Sequence, residues 1–244
     1  MELEQPAVVY DRMAPRFMMA PRMTVPTRRT FFRLLGAGMC FAVLSGCSEN
    51  NASNTGSSVD ISGSLPQLAF TMRRAADGRE VTAADYRGKV VLLYFGYTSC
   101  PDICPMTLFN LTTMLGKLGT LADQIRVLFV TIDPNRDSLD ALKQYTSSFA
   151  PQIVGLRGTP DQLAALAKRY RVAYSVKPIA GTGDYEVTHG TGVYLFDREG
   201  NVKRLFAGLE RPAPRDLKAM TQDVRNVLVA PSEREWFAHL LHIS

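Results

Sequence analysis

The run Val90-Val-Leu-Leu-Tyr-Phe-Gly-Tyr97 leads without a break into Thr98-Ser99-Cys100-Pro101-Asp102-Ile103-Cys104-Pro105. Continuous apolar, β-branched and aromatic residues over that length read as a strand buried on both faces, and so as the centre of a sheet. After the cysteines, Leu108, Leu111, Leu115 and Leu118 recur at helical spacing, with Pro105 suited to a first helical turn and Gly119 to its end. The thiols of Cys100 and Cys104 therefore fall where a strand gives way to a helix, with Cys104 at the helix N-terminus. Unpaired amides and a partial positive charge there favour thiolate over thiol, so Cys104 is expected to be acidified.

The pattern continues as α/β alternation. Ile125 to Ile132 reads as a second buried strand, followed by Asp133-Pro134-Asn135-Arg136-Asp137 and a helix that Ser138 can cap. Ile153 to Leu156 makes a short strand, and Thr159-Pro160-Asp161 opens a helix with Leu163, Leu166, Ala167 and Tyr170 on its inner face. Two hairpins follow, Val172 to Val176 with Tyr185 to Thr188, and Val193 to Asp197 with Val202 to Ala207, before a closing helix marked by Leu217, Met220, Val224 and Leu228. This order predicts an α/β, thioredoxin-like fold: a central mixed sheet flanked by helices, with an inserted β-hairpin before the histidine loop. Met106, Met114 and Met220 fit helix stripes or their edges and read as core.

Of the 244 residues, 46% are hydrophobic, enough for one sizeable core, and a mean hydropathy of -0.05 argues against several membrane spans. The net charge of +5 is concentrated in residues 1 to 47, with +2 left for the rest, so charge gives no support for nucleic-acid binding. Residues 27 to 47 run from Thr-Arg-Arg-Thr-Phe-Phe-Arg through the apolar stretch Leu34 to Leu44 to Ser45-Gly46-Cys47. This is the three-part form of an export signal, and its apolar stretch falls short of the ~20 residues that span a bilayer. Leu-Ser-Gly-Cys resembles a bacterial lipobox, which implies lipid attachment at Cys47 and a membrane tether, inner or outer. Arg28-Arg29 fits twin-arginine export as well as an ordinary basic leader.

The organisation expected is an export signal over 1 to 47, a flexible tether rich in Ser, Asn and Gly over 48 to 64, a folded domain over 65 to 230 and a tail over 231 to 244. Met1, Met13, Met18, Met19 and Met23 precede the signal, and translation is expected to begin at one of the later ones.

The four cysteines are Cys40 and Cys47 in the signal and the C-x-x-x-C pair in the domain. Two thiolates bind a thiophilic metal but leave its identity open, and two cysteines in an exported domain also read as a structural disulfide. A third donor would sharpen the metal reading. Among His189, His239 and His242, only His189 lies inside the expected domain, just before a strand whose preceding loop faces the active-site helix in this topology. His239 and His242, three apart, are read as incidental to a tail that packs Trp236, Phe237 and Leu240.

Gly96-Tyr-Thr-Ser-Cys-Pro-Asp-Ile-Cys-Pro-Met-Thr-Leu108 resembles the signature of the Sco/SenC family of copper proteins. Asp133-Pro-Asn-Arg-Asp137, Asp184-Tyr-x-Val-x-His189 and Tyr194-Leu-x-Asp197 are similar to three further landmarks of that family. The resemblance covers about Leu65 to Leu228. It implies a membrane-anchored, thioredoxin-like copper chaperone for the dinuclear copper centre of cytochrome c oxidase, with Cys100, Cys104 and His189 as ligands. Two thiolates and an imidazole suit Cu(I), and Cu(II) if another ligand joins. The partners implied are the oxidase's copper-centre subunit and a copper donor protein or thiol reductant, on the periplasmic face. Thr188 departs from the family's aspartate before the histidine, and with it copper affinity or redox preference is expected to shift. Asp102, Asp133 and Asp137 are read either as outer-shell or docking residues or as ordinary loop and capping residues. The alternative from a different class is a thiol-disulfide oxidoreductase that uses Cys100 and Cys104 to reduce the oxidase's copper-ligand cysteines. A peroxidase on the same fold would need a Thr-x-x-Cys site, and Thr98 stands only two residues before Cys100.

Overall fold

The computed structural model describes residues 57–230. In chain order these form strands β1 (Ser58–Asp60), β2 (Thr71–Arg74), β3 (Glu80–Thr82) and β4 (Val90–Gly96), helix α1 (Ile103–Leu118), β5 (Ile125–Thr131), α2 (Leu139–Ser147), β6 (Ile153–Arg157) and α3 (Pro160–Arg169). They end with β7 (Tyr174–Pro178), β8 (Tyr185–His189), β9 (Val193–Phe196), β10 (Val202–Phe206) and α4 (Leu217–Val229). One mixed sheet has the order β1-β10-β9-β4-β5-β6-β2-β3, while β7 and β8 form a separate two-stranded sheet. β4 is parallel to β5 and antiparallel to β9, as expected of the central strand.

Every residue of β4 is buried, and its side chains alternate between two cores. Val90, Leu92 and Tyr94 pack with Leu108, Leu111 and Met114 of α1 and Met220 and Val224 of α4, whereas Val91, Leu93 and Phe95 pack with Leu163 and Leu166 of α3. At about 1.5 to 3 kcal/mol per fully buried large apolar side chain, these two layers supply the main stabilisation of the domain. Local signals agree with the packing. Ser138 Oγ accepts from the Ala141 amide at the start of α2, and Thr159 and Gln162 form a capping box around Pro160 at the start of α3. Met114 and Met220 are wholly buried, as their helix spacing predicts.

Two expectations need correction, and one segment carries strands that were not expected. Part of the expected tether is structured: Ser58–Asp60 pair antiparallel with β10, and the buried Ser58 hydroxyl donates to Asp223 Oδ2 at 2.6 Å. Polar composition hid this edge strand because its stability comes from a distant partner. The strands β2 and β3 also precede the expected central strand. Finally, His189 is not on a loop after the inserted hairpin. It is the last residue of β8, opposite Tyr174, so the hairpin itself carries it.

Residues 1 to 56 and 231 to 244, and with them the expected export signal, Cys47, the first part of the tether, His239 and His242, lie outside the described residues. No helix among the described residues is long and apolar enough to cross a membrane.

Candidate metal centre

The chain leaves β4 at Gly96, makes a short connection through Cys100, and enters α1 at Ile103. Cys104 is the second residue of that helix and fully buried, and Cys100 is 9% exposed; both are free thiols. The Cys104 amide, one of the first-turn groups that a helix leaves without an internal partner, donates to Cys100 Sγ at 3.4 Å.

The helix start therefore serves the other cysteine than the one expected. Hydrogen bonding from the Cys104 thiol, then from the His189 imidazole and the amides of Cys104 and Asp102, pushes the Cys100 thiol well below the ordinary range, against the effect of burial. The Cys100 sulfur and burial together hold Cys104 well above it. Of the two thiols, Cys100 is the readier to ionise. The sequence placed Cys104 correctly at the helix N-terminus, but acidification depends on which sulfur the amides meet.

In β8 the side chains of Tyr185, Val187 and His189 turn inward and those of Glu186 and Thr188 outward, following the strand period of two. His189 Nε2 comes to 3.5 Å from Cys104 Sγ, and Nδ1 lies 2.9 Å from the Gly190 carbonyl oxygen. With a proton on Nδ1 donated to that carbonyl, the Nε2 lone pair points toward the sulfurs. The ring stands edge-on to Tyr97 and Tyr94, at centroid distances of 6.0 and 6.2 Å. Thr188 faces the other way and meets Ser175 Oγ at 2.8 Å, so it does not touch the imidazole. The expected shift in copper affinity or redox preference at this position therefore lacks a direct contact to act through.

Bonds of about 2.3 Å to sulfur and 2.0 Å to nitrogen, as at zinc, would set two donors of a trigonal ion about 3.7 Å apart. The Cys104–His189 separation of 3.5 Å is close to that. The three donors are neighbours rather than a finished cage, since no group of three or more His, Cys, Asp or Glu side chains among the described residues is already closed around one point.

Three groups around the site were not singled out from the sequence. Tyr94 is wholly buried, its hydroxyl has no hydrogen-bond partner, and burial, with Cys104 next, pushes its phenol well up. Tyr97 donates to the Val187 carbonyl at 3.3 Å, tying the strand end to the hairpin. Tyr145 of α2 packs on Phe129. The alternation of β4 places Tyr94 on the α1 face, which was the available signal. Asp137, buried, accepts from the Thr98 amide (3.0 Å), the Thr98 hydroxyl (2.5 Å) and the Thr131 hydroxyl (2.6 Å), and so holds the loop that presents Cys100. Asp102 is exposed at the start of α1, without a side-chain capping bond.

A family model described as SCO1/SenC matches residues 67–228. Among curated proteins, the mitochondrial SCO2 homologue of Bos taurus is 38% identical over 155 residues, covering 63% of this chain and 56% of the relative. The mitochondrial SCO1 protein of Saccharomyces cerevisiae is 43% identical over 125 residues, covering 50% and 42%. The chain spans about half the length of the curated relatives it matches. Among solved structures, copper-bound yeast Sco1 is 35% identical with a TM-score of 0.59, covering 69% of this chain and 93% of that one. Copper-bound Arabidopsis thaliana ScoI is 31% identical with a TM-score of 0.59, covering 66% and 97%. These neighbours share the thioredoxin-like arrangement of mixed sheet and helices.

Proposed function

The chain belongs to the SCO1/SenC family, and on that premise we propose that it binds copper through Cys100, Cys104 and His189 and passes it to the copper-centre subunit of a cytochrome c oxidase. The observation that carries this reading is the convergence of a cysteine pair on the strand-to-helix turn with the imidazole at the end of β8, 3.5 Å from Cys104 Sγ. Soft thiolates and one imidazole favour Cu(I). The lowered Cys100 thiol eases loading, since a thiol must give up its proton to bind the metal. Three donors also leave one side open, which a protein that releases its metal requires.

The test is a Cu(I) competition titration on the full, reduced chain, with X-ray absorption on the product. One equivalent bound by two sulfurs and one nitrogen is expected. A chain that takes up no Cu(I), or holds it by sulfur alone, would refute the ligand set.

The lowered Cys100 thiol also suits attack on a disulfide, which keeps the thiol-disulfide oxidoreductase as the second reading. Either role is set at a membrane surface in this proposal, with the exported domain of residues 65 to 230 tethered through lipid on Cys47. In a bacterial host, metabolic labelling with a radioactive fatty acid is expected to mark the wild-type chain and to lose the mark in Cys47→Ala. Equal labelling of both would remove the anchor.

A further inference from the structure

The hairpin β7–β8 has no strand of the main sheet beside it, and an isolated two-stranded hairpin is marginal in water. Its pose over the cysteines must therefore come from the side chains that fasten it to the body. Tyr97 and the buried Val187 supply one attachment. Tyr174 of β7 packs on the core as well, and a further attachment is built from the Asp133-Pro-Asn-Arg-Asp137 turn. Tyr185 donates its hydroxyl to Asp133 Oδ1 at 2.6 Å, and Arg136 Nε donates to Asp133 Oδ2 at 2.5 Å. Arg136 Nη1 reaches Asp184 Oδ1 at 3.1 Å and the Tyr185 carbonyl at 3.4 Å, and the guanidinium carbon stands 4.0 Å from the centre of the Tyr185 ring.

We propose that Asp133, Arg136 and Tyr185 are positioning residues for copper: a clasp that fixes the reach of the histidine hairpin over the cysteine loop. This rests on the copper reading of the same site. Both carboxylate oxygens of Asp133, a residue 2% exposed, are taken by the clasp, so it is a fully used buried charge rather than a solvated loop residue. Four residues further on, Asp137 holds Thr98, two residues before Cys100. The turn is itself pinned to β6, because the Arg157 guanidinium donates to the Pro134 carbonyl (2.7 Å) and the Asp137 carbonyl (3.0 Å). One five-residue turn thus grips the sulfur half of the site with one aspartate and the imidazole half with the other.

The geometry explains why such a grip is needed. Tyr185 and His189 are on the same face of β8 and four residues apart, about 13 Å at a strand rise near 3.3 Å per residue. A donor set works only within about 0.5 Å of its productive geometry. Loosening the Tyr185 end lets the far end of a short hairpin swing by more than that, while Cys104 stays on α1 and Asp137 still holds the loop of Cys100.

The experiment compares full-length wild type with Tyr185→Phe, which deletes one hydroxyl, and Arg136→Gln, using Lys203→Ala as a control that breaks the ion pair with Asp197 at the end of the sheet opposite the cysteine loop, where Phe196 pairs with Val91. In the clasp variants Cu(I) affinity is expected to fall about tenfold or more, the size of effect seen for partners of ligands. The nitrogen contribution to the copper X-ray absorption should weaken, and amides of residues 185 to 190 should exchange faster in the metal-free protein. Disulfide exchange by the cysteines should stay near wild type, the unfolding midpoint should fall modestly because a buried Asp133 oxygen loses its partner, and the control should change neither copper affinity nor hairpin exchange. Should Arg136→Gln fail to fold, Tyr185→Phe carries the test. Clasp variants with wild-type affinity and wild-type hairpin exchange overturn the proposal. If wild type itself binds no Cu(I), the copper reading falls with it, whereas hairpin exchange still decides whether the clasp exists.

Discussion

His189→Ala is expected to lower Cu(I) affinity by at least about 100-fold and to leave disulfide exchange by Cys100 and Cys104 within a few-fold of wild type. Removing a group that only supports a ligand costs about 10 to 100-fold, and removing the ligand itself should exceed that range. The loss stops short of abolition because two thiolates can still hold Cu(I) in two-coordination. Exchange chemistry is set by the sulfurs. The largest influence lowering the Cys100 thiol is the hydrogen bond from Cys104, with the imidazole second, so a substantial thiolate population survives the substitution. The two measurements are a chelator competition and turnover of a small disulfide. Unchanged copper affinity rejects His189 as a ligand. Equal loss in both assays places the imidazole in the service of the thiolate and favours the oxidoreductase.

Legibility followed burial. β4 and β5 were readable because each is a run of apolar residues packed on both faces, and the starts of α2 and α3 because Ser138, Thr159 and Pro160 act locally. β1 to β3 were not, being three or four residues long with mixed burial; β1 and β2 rest on β10 and β6 far along the chain, and β3 on β2. Ser58 looks like linker until Asp223 of α4 is brought to its hydroxyl. The site shows the same division. Cys100 and Cys104 stood out through spacing and His189 through its place before a strand and through resemblance, and the structure makes all three neighbours. Which thiol gives up its proton was hidden, because that depends on where the Cys104 amide points. The outward turn of Thr188 was recoverable from the strand period alone, since residues adjacent in a strand face opposite sides.

Gly96→Ala should be the most damaging small substitution near the site, lowering stability and copper affinity together. Gly96 ends β4 opposite Thr131, and its φ is not among the positive values, so backbone freedom is not the reason for glycine. Space is. A Cβ there would stand 2.5 Å from Phe129 Cε2 and 3.0 Å from both Phe129 Cζ and Cys104 Sγ. Phe129 is wholly buried and packed between Tyr94 and Tyr145, at 5.9 and 5.5 Å between ring centroids, so its ring has nowhere to retreat. Overpacking of this kind costs about 1 to 3 kcal/mol. For a domain of this size, with about 2 to 4 °C lost per kcal/mol, the unfolding midpoint should drop by several degrees. Part of the strain can be relieved only by pushing Cys104 away from Gly96, which carries its sulfur off the position 3.5 Å from His189 Nε2. Cu(I) affinity should therefore fall by more than the clasp variants lose, and thermal unfolding beside chelator competition would show both. A midpoint within a degree of wild type, with copper held as tightly, would mean that Phe129 yields after all and that the glycine does not set the position of the sulfur.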